Sequence, residues 1–426
     1  VVVDNKKYTI EYSKVNPVKD DFGGRTLRRY KSWILTDVAD DVWLDTFAVG
    51  SDPMPLSPGQ DWSIRKRTLH GGLRDGIDLI EVDNGALSYQ VLPTRGMGLW
   101  RGRYHGLALG WAAPVQGPVH PKFVNVCAKG GAGWLAGFDE WVCRCGLSCN
   151  GPPGDDVHTD RHGQPRRDQI TLHGRIANLP AHYVEARVGL DPPFEISVVG
   201  VVEEAGLFHP HLRLTTTMTT VPGSARLMVH DVVENRGAQP AEMMLLYHVN
   251  LGPPFLESGS RVALPFREVS PISPRAAAGI DTLDTFAGPT TGFAEQVYLY
   301  DLLADNTGRT LTMLYNHAAD RAVVLRYSRR ELPCFTVWRN TMAVEEGYVA
   351  GLEPGTNFPN FKSFERQQGR VPTLAPGGKW ETMWSIEVCD SSAGVAGVLG
   401  EIASLQSQER AVVHQTPQAR FSAAGG

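Results

Sequence analysis

From Ile77 to Val388 the chain is written mostly in short runs of alternating or β-branched residues, each closed off by glycine or proline. With Gly at 45 and Pro at 29 of 426 residues, few stretches are long enough to lay down an extended helix. Such runs hide their apolar sides by pairing as strands. The clearest pair is Ile-Asp-Leu-Ile-Glu-Val (77–82) and Ala-Leu-Ser-Tyr-Gln-Val-Leu-Pro (86–93), joined by Asp-Asn-Gly, a strong hairpin signal. Further strands are expected at His182–Leu190, Glu195–Glu203, His211–Thr220 and Ala225–Asn235. Leu311–Tyr315, Ala322–Tyr327, Phe335–Asn340, Tyr348–Leu352 and Trp380–Val388 continue the series. A dozen or more strands joined by Gly/Pro turns imply an all-β fold of stacked antiparallel sheets.

This β domain is expected over 61–392. Residues 1–60 read as an N-terminal extension packed on the core, with a Pro-rich connector at 51–60. Residues 393–426 turn to Ala, Gly, Ser and Gln and read as a C-terminal helix and tail, with a short helix at 400–408 and a mobile end from Thr416.

Apolar content of 42% and charged content of 20% suit a globular chain with a sizeable core. A net charge of −5, with arginines scattered and no Lys/Arg-rich run, argues against nucleic acid as a partner. No apolar run reaches the length that crosses a bilayer as a helix, so no membrane partner is expected. Six cysteines are too few for a disulfide framework in a chain of this size, and reduced thiols in a cytoplasm are expected. Cys143, Cys145 and Cys149 are spaced x1 and x3, not as the usual zinc pairs, so buried thiols are expected there and no metal. The oligomeric state is unreadable, and a homo-oligomer is compatible with the sequence.

Three remote stretches carry the chemistry: Thr-Leu-His-Gly-Arg (171–175), Leu-Tyr-His-Val-Asn-Leu-Gly (246–252) and Gly-Leu-Glu-Pro-Gly-Thr-Asn (351–357). Each places an ionisable residue where a strand is expected to run into a turn. Two histidines and a glutamate, beside arginines and asparagines, suit proton transfer on a polar substrate, and a small-molecule carbohydrate is the expected partner. No Gly-x-Gly-x-x-Gly opening a helix, Walker loop or His-Glu-x-x-His occurs, so no cofactor is expected. Two imidazoles and a carboxylate are also a zinc or iron set, an alternative that lacks a short-range ligand pair. His70, in Leu-His-Gly-Gly, copies the His-Gly text but precedes the scaffold strands, and is set aside.

The order of Cys-Arg-Cys-Gly-Leu-Ser-Cys-Asn-Gly (143–151), Leu-His-Gly-Arg, Val-Glu-Asn-Arg-Gly (233–237), Tyr-His-Val-Asn-Leu-Gly and Gly-Leu-Glu resembles the aldose 1-epimerase (galactose mutarotase) superfamily. Thr-Arg-Gly-Met-Gly (94–98), Leu-Tyr-His-x-Asn-Leu-Gly and Glu-Pro-x-Thr-Asn resemble most of all a bacterial branch of it. The resemblance runs from about residue 75 to 390. It implies an antiparallel β-supersandwich with short helices and an open sugar cleft. It also implies Glu353 as general base, His248 as general acid and His173 as a sugar-binding histidine.

Arg144 resembles the arginine of the mutarotase Gly-Arg-x-x-Asn-Arg stretch, with cysteines in place of its usual flanks. Arg339 stands near the place in the order where mutarotases carry an aspartate. Arg95 between turn residues, Arg175, Asn250 and Asn357 are candidate hydroxyl partners, and Trp338 is a candidate stacking platform. The implied reaction is anomer interconversion by ring opening. The alternatives are a lyase or hydrolase acting on a glycoside or uronic acid, with Arg95 and Arg144 neutralising a carboxylate, and a non-catalytic carbohydrate-binding protein.

Overall fold

In the computed structural model, residues 14–19, 25–52, 54–56, 61–159 and 163–425 are described. The opening residues of the N-terminal extension and half of the Pro-rich connector lie outside these. Two large sheets, of eleven and thirteen strands, dominate the described residues. Their strands pair antiparallel, apart from a short parallel contact between Phe266–Pro271 and Val412–Val413. The fold is a sandwich of antiparallel sheets, as the strand pattern predicts, and it agrees with the supersandwich that the resemblance implies.

Alternation builds the interior. Strands Ile196–Glu204, Leu212–Thr220 and Arg226–Asn235 follow one another in the eleven-stranded sheet, and Lys379–Cys389 pairs beside them. Leu214, Met218, Val229, Val233, Trp384 and Ile386 point from these strands into one core. Across from them the thirteen-stranded sheet supplies Ile80, Val82, Tyr89, Tyr247, Val249, Leu352 and Val337 to the same core. Apolar side chains removed from water at about 25 cal/mol per Å² are the main force holding the sheets face to face.

The hairpin at Asp-Asn-Gly forms as expected, between Asp78–Asp83 and Leu87–Leu92. Asn84 Oδ1 accepts from the backbone N–H groups of Ala86 and Leu87, while its amide donates to Thr220 Oγ1, tying the turn to the other sheet.

The N-terminal segment is woven into both sheets. Arg25–Asp37 pairs with Tyr183–Gly189 in the smaller sheet, and Thr46–Gly50 pairs with Ser63–Thr68 in the larger. The C-terminal helix spans Ser392–Gln406, starting before the expected 400–408, with Ser391 as its N-cap. Val395, Val398 and Ile402 cover Leu311, Met313 and Val324 on the outer side of the smaller sheet.

The end of the chain departs from the expected mobile tail. Phe421 is buried and packs 5.5 Å from Phe358, its carbonyl accepts from Asn360, and Ser422 donates to Ile272 O. One aromatic anchor overrides a run whose composition alone suggests looseness.

Candidate active site

The site lies on the outward face of the thirteen-stranded sheet, where Val142–Leu147, Met244–Leu251, Val349–Gly355 and Cys334–Asn340 run side by side. Opposed residues of paired strands point to the same face. Cys143 opposes His248, Asn250 opposes Gly351, and Thr336 opposes Glu353 while Trp338 opposes Gly351. Cys143, Cys145, His248, Asn250, Glu353, Thr336 and Trp338 therefore share one face. Arg144, Tyr247, Leu352, Val337 and Arg339 belong to the other. Two of the three carrying residues differ from expectation in placement: His248 and Glu353 lie within strands, the latter in Val349–Gly355, which continues through Pro354.

Only His173 sits in a turn. Its backbone is left-handed, at φ 56, a costly conformation for a side chain of this size. Two backbone hydrogen bonds hold it: His173 N–H donates to Gly151 O at 2.9 Å and its carbonyl accepts from Gly146 N–H at 3.0 Å. Gly174 follows at φ 71, where a Cβ would come within 2.3 Å of Cys149 O. The His-Gly text is thus the signature of a turn pressed against the 143–151 segment, with the imidazole thrown forward.

These placements bring the three residues together. His248 Nε2 lies 3.3 Å from Glu353 Oε1, and the rings of His173 and His248 are 5.7 Å apart, edge to face. Aromatic rings wall them in. Trp134 lies 4.7 Å from His173, Phe138 5.0 Å and Trp338 5.2 Å from His248, and Trp111 5.2 Å from Phe138.

Glu353 and His248 are 3% and 5% exposed, so neither carries charge easily. Burial, with the negative charge of Glu295 nearby, pushes the Glu353 carboxyl well above the usual range. Burial, then the neighbouring His173, lowers His248 to about 3, partly offset by Asn250. Burial lowers His173 to about 4, against the opposing effect of Asn150. Burial thus favours the protonated carboxyl over the carboxylate at Glu353, and the neutral over the charged imidazole at both histidines.

The tautomer of His173 follows from its partner. His173 Nδ1 faces the Asn150 carbonyl at 2.8 Å, and a carbonyl only accepts, so Nδ1 carries the hydrogen and Nε2 is left as an acceptor. Asn250 donates to Glu140 O and His248 O, which aims its Oδ1 as an acceptor. His248 Nε2 faces the Glu353 carboxyl at 3.3 Å, close enough for the two to share a proton. Trp134 Nε1, His248 Nδ1, Asn250 Oδ1 and Thr336 Oγ1 are all buried without a hydrogen-bond partner. Buried polar atoms are seldom left so, and a hydroxyl-rich ligand is the kind of molecule that satisfies such a group.

The other expected ligands fall outside this cluster. Arg144 points between the sheets, where its Nε and Nη2 grip Asp231 at 2.6 and 2.9 Å, with Thr216 Oγ1 and Met97 O as further acceptors. Tyr247 donates to the same aspartate at 2.8 Å. Arg95 is buried with Glu140 at 2.6 Å and gives its remaining bonds to Val119 O, Gly137 O and Asn178 Oδ1. Arg339 is buried on the inner face, donating to Gln296 Oε1 and Thr282 O and lying over Phe286 and Tyr298. Strand parity sends Arg144 and Arg339 to the scaffold, because each is one position from an outward-facing residue, whereas Arg95 is held in the turn between Leu87–Leu92 and Gly98–Tyr104.

Asn357 is locked in a reciprocal amide pair with Asn150, the residue whose carbonyl orients His173, so it acts from behind. Arg175 is exposed. His70 is exposed near Asp75 and stands apart.

Sequence reasoning missed Glu295, Trp134 and Phe138. Glu295 accepts from Trp338 Nε1 at 2.5 Å at the rim. Trp134 lies in a short 3-10 helix, Gly133–Gly137, that Phe138 closes; the aromatic residues spaced among glycines in Gly-Ala-Gly-Trp-Leu-Ala-Gly-Phe (131–138) were the available signal. Among the described residues no group of three or more His, Cys, Asp or Glu is gathered as a metal site.

Fold and site together define a galactose mutarotase-like protein. A crystal structure from Klebsiella pneumoniae of a "putative aldose 1-epimerase" superposes with a TM-score of 0.85 at 34% identity, covering 91% of this chain and 99% of that one. A galactose mutarotase-like protein of Clostridium acetobutylicum shares the fold, with a TM-score of 0.53 at 16% identity over 77% of this chain and 98% of that one. No curated protein matches the chain. The profile described as "Domain of unknown function (DUF4432)" matches residues 74–388, and the chain belongs to that family.

Proposed function

We propose that the protein is an aldose 1-epimerase-like enzyme that interconverts the anomers of a free sugar by general acid–base ring opening. One observation carries the reading: an enclosed Glu353–His248 pair at 3.3 Å, with His173 beside it, on the outward face of the larger sheet. Opening a cyclic hemiacetal needs one group to take the anomeric hydroxyl proton and another to protonate the ring oxygen. The resting pair shares one proton, on Glu353. Transfer across the 3.3 Å contact gives a carboxylate and an imidazolium, the base and acid the reaction requires.

A sugar entering the pocket brings hydroxyls that donate to the carboxylate and so favour its ionised form. His173 Nε2 accepts from a further hydroxyl, and Trp338 offers its face to the pyranose. After rotation about C1–C2, the same groups in reverse roles close the ring on the other face. Arg95 and Arg144 are both spent inside the scaffold, which removes the charge neutraliser on which the lyase alternative relied.

Magnetisation-transfer NMR on a panel of aldoses tests the proposal, since anomer exchange and binding appear in one spectrum. The wild-type protein is expected to accelerate exchange for at least one aldose. Glu353→Gln is expected to lose about 10²–10⁴-fold in exchange while still binding that sugar. Binding with no acceleration in the wild type makes the protein a carbohydrate binder instead.

A further inference from the structure

A second cavity of about 600 Å³ opens on the same outward side of the thirteen-stranded sheet, within the size range of small-ligand sites. It lies over the strands Asp78–Asp83, Leu87–Leu92 and Gly98–Tyr104, and its lining includes none of His173, His248 and Glu353. Trp111 lines this cavity, and its ring lies 5.2 Å from Phe138, which in turn borders His248.

Strand register explains what faces the cavity. Glu81 opposes Gln90 and Ser88 opposes Arg103, while the intervening Ile80, Val82 and Tyr89 enter the core. An irregularity between Tyr89 and Val91 breaks the strict alternation along the edge of Gly98–Tyr104. Trp100 and Arg101, though consecutive, both line the cavity.

The chemistry of the lining differs from that of the first pocket. Trp100 is fixed by donating Nε1 to the buried Asp139 at 2.8 Å, and the Arg101 guanidinium lies 4.4 Å over its ring. Arg103 gives one hydrogen bond, to Gly106 O at 2.9 Å. Among the described residues neither arginine forms an ion pair, unlike Arg95, Arg144 and the surface arginines paired elsewhere. The one carboxylate lining the cavity, Glu81, accepts from Gln90 Nε2 at 3.0 Å. Two indoles, two unpaired guanidinium groups and an amide form a surface for a ring with hydroxyls and a negative charge.

We propose that this cavity is a second binding site that takes an acidic carbohydrate unit. The ring packs against Trp111, and its carboxylate or phosphate group is gripped by Arg101, held in place over Trp100, and by Arg103. That the anion is borne on a sugar rests on the reading of the neighbouring pocket; that an anion is bound does not.

Calorimetric titration of the full chain with glucose, glucuronate, glucose 6-phosphate and inorganic phosphate tests the site. One or both acidic sugars should bind at least tenfold more tightly than glucose at low salt, and the advantage should shrink as salt rises. Preference for glucuronate assigns a carboxylate and preference for glucose 6-phosphate assigns a phosphate. The exposed pair Arg101→Gln/Arg103→Gln should lose about ten- to a hundredfold in affinity for the acidic sugar and leave anomer exchange on a neutral aldose unchanged. Glu353→Gln should retain the acidic sugar. Equal affinity for glucose and both acids, or undiminished affinity in the double variant, overturns the proposal. Inorganic phosphate binding as tightly as the sugars overturns its carbohydrate part. Failure of the wild type to exchange any anomer sinks the neighbouring assignment, and the arginine measurement stands apart from it.

Discussion

Gly351 offers the sharpest test of whether the Glu353–His248 geometry does the chemistry. A methyl group at this position would lie 2.6 Å from Glu353 Oε1, 3.0 Å from Trp338 Cβ and 3.2 Å from His248 Cε1. Ordinary contact begins at 3.4 Å, so in Gly351→Ala the carboxylate oxygen must retreat by about 0.8 Å, and both ring-bearing neighbours must give by less. A misplacement on the order of 1 Å at a reacting group costs roughly 10²-fold in rate. The strain of the added carbon costs about 1–3 kcal/mol of stability, which a chain of this size tolerates.

The assay is anomer exchange by NMR magnetisation transfer, with a thermal melt to confirm folding. Turnover is expected to fall about 10²-fold while sugar binding changes little. The same substitution made in a Glu353→Gln background should cost almost nothing more, because the carboxylate it displaces is already gone. Wild-type turnover in Gly351→Ala, or full additivity in the double variant, would refute the assignment of Glu353 to the reaction.

The remaining predictions concern titration, the rim and the scaffold. Activity requires one proton on the Glu353–His248 pair, so it should fall as pH drops toward about 4, where His173 and then His248 gain protons, and again as pH rises through the elevated Glu353 value. An acid limb near the ordinary histidine value of ~6.5 in the pH–rate profile would contradict this. Glu295→Gln removes the charge that helps hold Glu353 protonated, so the alkaline limb should move to lower pH; an unmoved limb rules Glu295 out as a tuning group. Arg144→Met leaves Asp231 buried with only the Tyr247 hydroxyl, and should cost about 3–5 kcal/mol in denaturant unfolding while the KM of the protein still folded is unchanged. A changed KM at normal stability would return Arg144 to the sugar.

Much of this was readable in the sequence, for reasons that differ by element. Strands such as Ala225–Asn235 and Trp380–Val388 sit within a residue of the observed Arg226–Asn235 and Lys379–Cys389, because β-branched alternation bounded by Gly and Pro is a local property. The order of the His-Gly, His-x-Asn and Gly-Leu-Glu motifs led to the three residues that meet. What stayed hidden was absolute facing. A period of two says that Arg144 and Cys143 point opposite ways, and likewise Arg339 and Trp338, but not which of each looks outward. An arginine in a sugar-binding text reads as a ligand, whereas here Arg144 and Arg339 turn inward. Glu295 was unreadable because its relation to Trp338 arises from pairing of the Gln296–Leu302 strand with Cys334–Asn340.

The enclosure itself has a consequence for the reaction. Burial drives carboxyl and imidazole in opposite directions on the pH scale, Glu353 up and His248 down, so the pH span over which the pair holds a single proton is widened. Anomers differ little in free energy, and their exchange must run equally well both ways. A pair that starts and ends each turnover with the same one proton meets that condition without drawing a proton from solvent. In the proposed reaction, aromatic walls that keep water from Glu353 and His248 would therefore serve the chemistry directly. A polar substitution in that wall, at Phe138 for instance, would separate the two titrations less and narrow the range over which one proton is held.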